Sequence, residues 1–128
     1  VVSKAREYVG TPHHHSGRDC NGVDCAGLLY CVFKDLGLPL RPIPMYGRIV
    51  DPNFLIERVE ENFSLVPGHL DDAIPGDILM IRFNKTPQHV AILTEGKIIH
   101  SYEKAGQVVE QRLNDMWKSR VAGVYRNV

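Results

Sequence analysis

From Cys25 to Leu36 the chain places apolar side chains at 25, 28, 29, 32, 33 and 36, the spacing of a single helical face. Asp24 ahead of this stripe is a helix-capping residue, and Gly37 followed by Pro39 is a stop signal. A helix with so continuous an apolar face must bury it, and the rest of the chain says against what. Beyond Pro67-Gly68 the helical period gives way to strands. Asp77–Arg82, His89–Thr94, Lys97–Tyr102, Gln107–Glu110 and Val121–Arg126 read as strands, with turns at Glu95-Gly96 and Ala105-Gly106 and a short helical piece over Asn114–Lys118. Earlier, Val1–Val9 has helical spacing closed by Gly10-Thr11-Pro12, residues 13–23 read as loop, and a proline-containing loop runs from Leu38 to Asp51. Asp51-Pro52 then starts a helix reaching about Phe63, with Phe54, Leu55, Val59 and Phe63 on its buried side. Helices first and antiparallel strands afterwards predict an α+β fold, N-terminal helices packed on a sheet of about five strands. The 128 residues suit a single domain spanning 1–128.

Charge narrows the function classes. Fifteen basic residues balance fifteen acidic ones and no Lys/Arg run occurs, which argues against nucleic-acid binding. No apolar run approaches the ~20 residues of a membrane span. The N-terminal residues show no charged-then-apolar leader pattern, so synthesis in the cytoplasm without a signal peptide is the expectation. The cysteines, Cys20, Cys25 and Cys31, are odd in number, so at least one thiol is free.

Cys25 takes the first position of the apolar helix. Unsatisfied N–H groups and the positive end of the helix dipole favour a thiolate there, and such sites lower a cysteine pKa from ~8.5 toward ~3.5–7.5. The stripe also aims its sulfur at the sheet. If Glu95-Gly96 closes a tight hairpin, Thr94 lies opposite Lys97 and His89 opposite Tyr102. His100 is then a diagonal neighbour of His89 on the same face, ~7–8 Å away at Cα. A nucleophile at a helix start, a base on a strand and an orienting group on the next strand make a cysteine–histidine–polar triad. The plain alternative is structural: a buried cysteine behaves as a small hydrophobe and a strand histidine as a satisfied core residue. Cys20 and Cys31 take that reading.

These residues resemble a family. Gly10-Thr11-Pro12, then Gly22-Val23-Asp24-Cys25-Ala26-Gly27-Leu28-Leu29, is similar to the nucleophile segment of NlpC-type cysteine peptidases. Pro75-Gly76-Asp77-Ile78-Leu79, His89-Val90-Ala91-Ile92-Leu93 and Ile98-Ile99-His100-Ser101-Tyr102 match the later blocks in order, and the resemblance runs over roughly residues 5–126. Ile99–Glu103, Val108-Val109-Glu110 and a tryptophan before the last strand look most like the phage tail-associated cell-wall peptidases. The resemblance implies a papain-like core and cleavage of a peptidoglycan stem-peptide amide, between D-glutamyl and a diamino acid, without cofactor. It makes Cys25 the nucleophile, His89 the base and His100 the orienting residue, with His13 and Asp24 as substrate or oxyanion contacts. It also implies a place on a phage-like tail among tail-tip proteins, acting at the bacterial cell wall.

Two positions depart from the family pattern: His13 stands where Tyr is usual, and Ala26 where Ser is common. The first keeps open a second reading, an inert structural module of a tail tip. A third reading is zinc binding through His13, His14, His15, Cys20 and Cys25. Three consecutive histidines share no face of a regular element, so a solvated loop or a cleft wall is preferred over that reading.

Overall fold

The computed structural model describes residues 1–15, 17–19, 21–38, 40–41, 54–83 and 86–127. The predicted helix start at Asp51-Pro52, most of the 38–51 loop and Cys20 lie outside these. The elements are α1 (Val2–Glu7), β1 (Arg18–Asp19), β2 (Gly22–Val23), α2 (Cys25–Asp35), α3 (Phe54–Asn62), β3 (Ser64–Leu65), β4 (Ile78–Phe83), β5 (Thr86–Leu93), β6 (Lys97–Tyr102), β7 (Gln107–Arg112), α4 (Asp115–Ser119) and β8 (Val121–Arg126). The α+β reading is borne out. Strands β3-β8-β4-β5-β6-β7, in that order, form one antiparallel sheet. The sixth strand, β3, is a two-residue edge too short to show alternation in the sequence. For the same reason the β1–β2 ribbon lies in a stretch read as loop.

Strand alternation sorts the core into two layers. On one face Ile78, Met80, Val90, Ile92, Ile99 and Val108 pack with Ala5 of α1, Leu28, Leu29, Val32 and Phe33 of α2, and Leu55 and Val59 of α3. On the other, Leu79, Ile81, Ala91, Leu93 and Ile98 pack with Leu113, Trp117 and Val124. The predicted stripe of α2 is therefore the sheet-facing one as far as Phe33. Leu36 is exposed, because the helix ends at Asp35 and Gly37 turns away with φ 74°.

Capping follows the chemistry of the sequence. Asp24 caps α2 by accepting the Gly27 N–H at 2.7 Å, and Asn114 caps α4 by accepting the Trp117 N–H at 3.0 Å. Asp77 of the Pro-Gly-Asp block is buried and clamps the sheet entrance. Its two oxygens accept Nε and Nη2 of Arg126, each at 2.8 Å, and one also accepts the Ile74 N–H at 2.9 Å.

The β5–β6 hairpin has the predicted register, with Ile92 opposite Ile99 and Leu93 opposite Ile98. The ladder then stops. The next hydrogen-bonding step toward the open end, Val90 with Ser101, is not made. The start of α2 occupies that opening: Ser101 Oγ donates to the Val23 carbonyl at 2.7 Å, and the Val90 N–H is directed at the Cys25 sulfur.

Candidate active site

Cys25 opens α2 directly after its cap. The Asp24 carboxylate also accepts the Arg18 guanidinium at 2.9 Å, so the residue before the nucleophile is engaged in holding the helix start. The first turn is crowded: a Cβ on Gly27 would collide with the Gly17 carbonyl oxygen. Gly27→Ala therefore lowers stability by about 1–3 kcal/mol, despite alanine's better helix propensity, because the backbone of the preceding loop must move. Chemical denaturation of the variant checks this.

The sulfur is buried, with Cys25 8% exposed. Burial pushes its thiol up to about 12, and the negative charge of Asp24 pushes the same way. The N–H groups of Val90 and Ala26 and the Arg18 charge favour the anion, as a helix start should, but desolvation outweighs them. This corrects the expectation of a depressed thiol pKa: at neutral pH the resting sulfur keeps its proton.

His89 and His100 meet as the hairpin register requires. His89 Nε2 lies 2.6 Å from His100 Nδ1, and His100 Nε2 lies 2.7 Å from Gln111 Oε1. Both rings are buried in an aromatic box. Phe83 lies against His89 at 5.2 Å, Tyr102 stacks on His100 at 5.2 Å and 10°, and Trp117 meets His100 edge-on. Burial holds His89 well below the usual histidine range, and charge on His100 or His13 would push it lower still. Burial also lowers His100, against the opposing hydrogen bond to Gln111. Both imidazoles are thus neutral at neutral pH.

His13 is half-buried at the same site, its Nδ1 2.8 Å from Ser101 Oγ. Because the Ser101 hydroxyl donates to Val23, it must accept from His13, which places the His13 proton on Nδ1. Burial lowers His13 as well. A neutral His13 therefore presents a bare Nε2, an acceptor, where a tyrosine would present a donor.

The structure thus brings His89, His100 and His13 together and sets Cys25 against the backbone of Val90, next to His89. Gln111 and Ser101 were missed by the sequence reading. Ile98 faces Gln111 across β6–β7, so Gln111 is diagonal to His100 just as His89 is. Extending that hairpin's register by one residue past Glu110 would have found it. His14 and His15 are exposed, and among the described residues no group of three His, Cys, Asp or Glu could hold a metal. Cys31 is buried in mid-helix, its thiol donating to the Arg18 carbonyl at 3.0 Å.

A buried cysteine at a helix start, held against the main chain of Val90, together with His89, the residue before it, backed by a second histidine, defines a cysteine–histidine class of domain on an α+β frame. The NlpC/P60 family model matches residues 10–126, and the chain belongs to that family. Its fold is similar to a NlpC/P60 family protein from Bacillus cereus ATCC 10987 (TM-score 0.76, 21% identity, 98% of this chain and 38% of that one). A protein described as similar to lipoprotein, NLP/P60 family, from Staphylococcus aureus subsp. aureus Mu50 matches with TM-score 0.73 and 20% identity over 99% of this chain and 40% of that one. The NlpC/p60 domain of the peptidoglycan hydrolase SagA matches with TM-score 0.70 and 23% identity over 99% of this chain and 95% of that one. The chain thus spans about two fifths of the first two. No curated protein matches it.

Proposed function

We propose that this domain is a cysteine endopeptidase of bacterial peptidoglycan, cutting a stem-peptide amide between D-glutamyl and a diamino acid. The observation that carries the reading is the hydrogen-bonded chain His89–His100–Gln111 together with a buried thiol at a helix start, set against the main chain of Val90, the residue after His89. Family membership and the likeness to SagA, a peptidoglycan hydrolase, support the substrate class.

Because the resting thiol and imidazole are both neutral, attack and proton transfer go together. Cys25 Sγ adds to the amide carbonyl carbon while its proton moves to His89. The carbonyl oxygen becomes an oxyanion beside the Cys25 N–H, one of the free donors of the helix start. His89 then protonates the nitrogen, the C–N bond breaks, and the amine leaves a thioester on Cys25. Water, deprotonated by His89, adds to the thioester; the carboxylate departs and the proton returns to sulfur. His13, an acceptor when neutral, binds a substrate N–H. The Ile99–Glu103 and Val108–Glu110 blocks support a finer placement on a phage-like tail, among tail-tip proteins, acting at the cell wall.

Digestion of purified peptidoglycan followed by mass spectrometry tests the activity. The expected products are fragments ending in a free D-glutamyl carboxylate and fragments starting with a free diamino-acid amine. Intact stem peptides after prolonged digestion would favour an inert structural module. Detection of the domain in purified phage-like particles tests the tail placement.

A further inference from the structure

The described chemistry needs the lone pair of His89 on one particular nitrogen, and that choice is made two side chains away. A neutral imidazole carries one N–H and one bare nitrogen. Gln111 Oε1 is an acceptor only, so the His100 nitrogen 2.7 Å from it, Nε2, must carry the proton. His100 Nδ1 is then bare and accepts across 2.6 Å, which puts the His89 proton on Nε2. His89 Nδ1 is left as the bare nitrogen. Were the amide turned to offer its NH₂ group, every step would reverse and His89 Nδ1 would carry a hydrogen, useless for taking a proton from sulfur.

We propose that Gln111 is the positioning residue that fixes the tautomers of both histidines and so makes His89 a base at Nδ1. The proposal rests on the reading of Cys25 and His89 as nucleophile and base, but the tautomers themselves do not. Among the described side chains around the two rings, no other sets this polarity. Phe83, Tyr102 and Trp117 touch the two rings through their faces and edges, which fixes ring planes without distinguishing the nitrogens. A glutamine also supplies the acceptor without a charge. A carboxylate at this place would draw a second proton onto His100, which then could no longer accept from His89 Nε2.

Three proteins decide the matter: wild type, Gln111→Met and Gln111→Glu. Methionine keeps the length and the unbranched shape but removes the strong acceptor. Nitrogen-15 NMR of the imidazoles is expected to show both wild-type histidines in the Nε2–H form, and Gln111→Met to show a mixture of tautomers. Turnover of a synthetic stem peptide should fall about tenfold in kcat, with KM nearly unchanged. Gln111→Glu should instead show His100 with both nitrogens protonated, and kcat should not recover. A Gln111→Met protein whose histidines keep the wild-type tautomers, or whose kcat is unchanged, overturns the proposal, and so does a Gln111→Glu protein with wild-type tautomers and wild-type kcat. The catalytic reading is separable: if Cys25→Ala still hydrolyses the peptide while the tautomers shift as described, that reading fails and the tautomer assignment stands.

Discussion

Cys25→Ala protein is expected to release no stem-peptide fragments above the blank, while Cys31→Ala releases them at nearly the wild-type rate. Of the two described cysteines, Cys25 alone combines a helix start, backbone N–H groups aimed at sulfur, and a strand histidine next to the residue it touches. Removing the sulfur removes the atom that would form the thioester, and no described side chain beside it can substitute. Cys31 spends its thiol on the Arg18 carbonyl inside α2's own packing. A high-performance liquid chromatography assay on purified peptidoglycan separates the two outcomes. Activity surviving in Cys25→Ala would remove the nucleophile from the mechanism altogether.

The second large effect is at His89. His89→Ala or His89→Asn should lower kcat/KM by ~10²–10⁴-fold, the loss typical of a missing acid–base group. His100 is asked only to accept from His89 Nε2, so His100→Asn, whose side-chain oxygen can still accept, should be milder than His100→Ala. Equal loss for both His100 variants together with an active His89→Asn would mean that the two roles are exchanged. The pH profile carries an independent sign. The proposed base works only when neutral, and burial holds His89 well below 6.5, so activity persists on acidification past 6.5 and falls only as pH drops through that lowered value. An acid limb at or above 6.5 would contradict a buried neutral base.

The parts legible in the sequence are those governed by local rules. The α2 stripe, the Asp24 cap and the β5–β6 register follow from helical period, side-chain length and turn length. Each of these involves residues close in the chain. The parts that escaped depend on distant partners or on burial. The halt of the β5–β6 ladder after Ile92 requires knowing that Val23 and Cys25, some seventy residues earlier, enter the opening. The Cys25 thiol was misjudged because the helix start is visible in sequence and the desolvation that outweighs it is not. Gln111 was passed over because Glu110-Gln111-Arg112 is a polar run, which reads as the end of a strand. At the outer edge of this sheet the first half of β7 pairs with residues 10–13, and the strand then continues in polar residues to Arg112.

That opening between β5 and β6 ties two properties together. Where ordinary strands would be laced by main-chain bonds, here the lacing consists of the His89–His100 contact, the Ser101 bond to Val23 and the Val90 amide at the Cys25 sulfur. The groups proposed to perform the chemistry are therefore also the fasteners of the sheet at its centre. Local unzipping of the hairpin and loss of the reactive arrangement become one event, so protection of the Val90 amide from solvent exchange and readiness for turnover should rise and fall together.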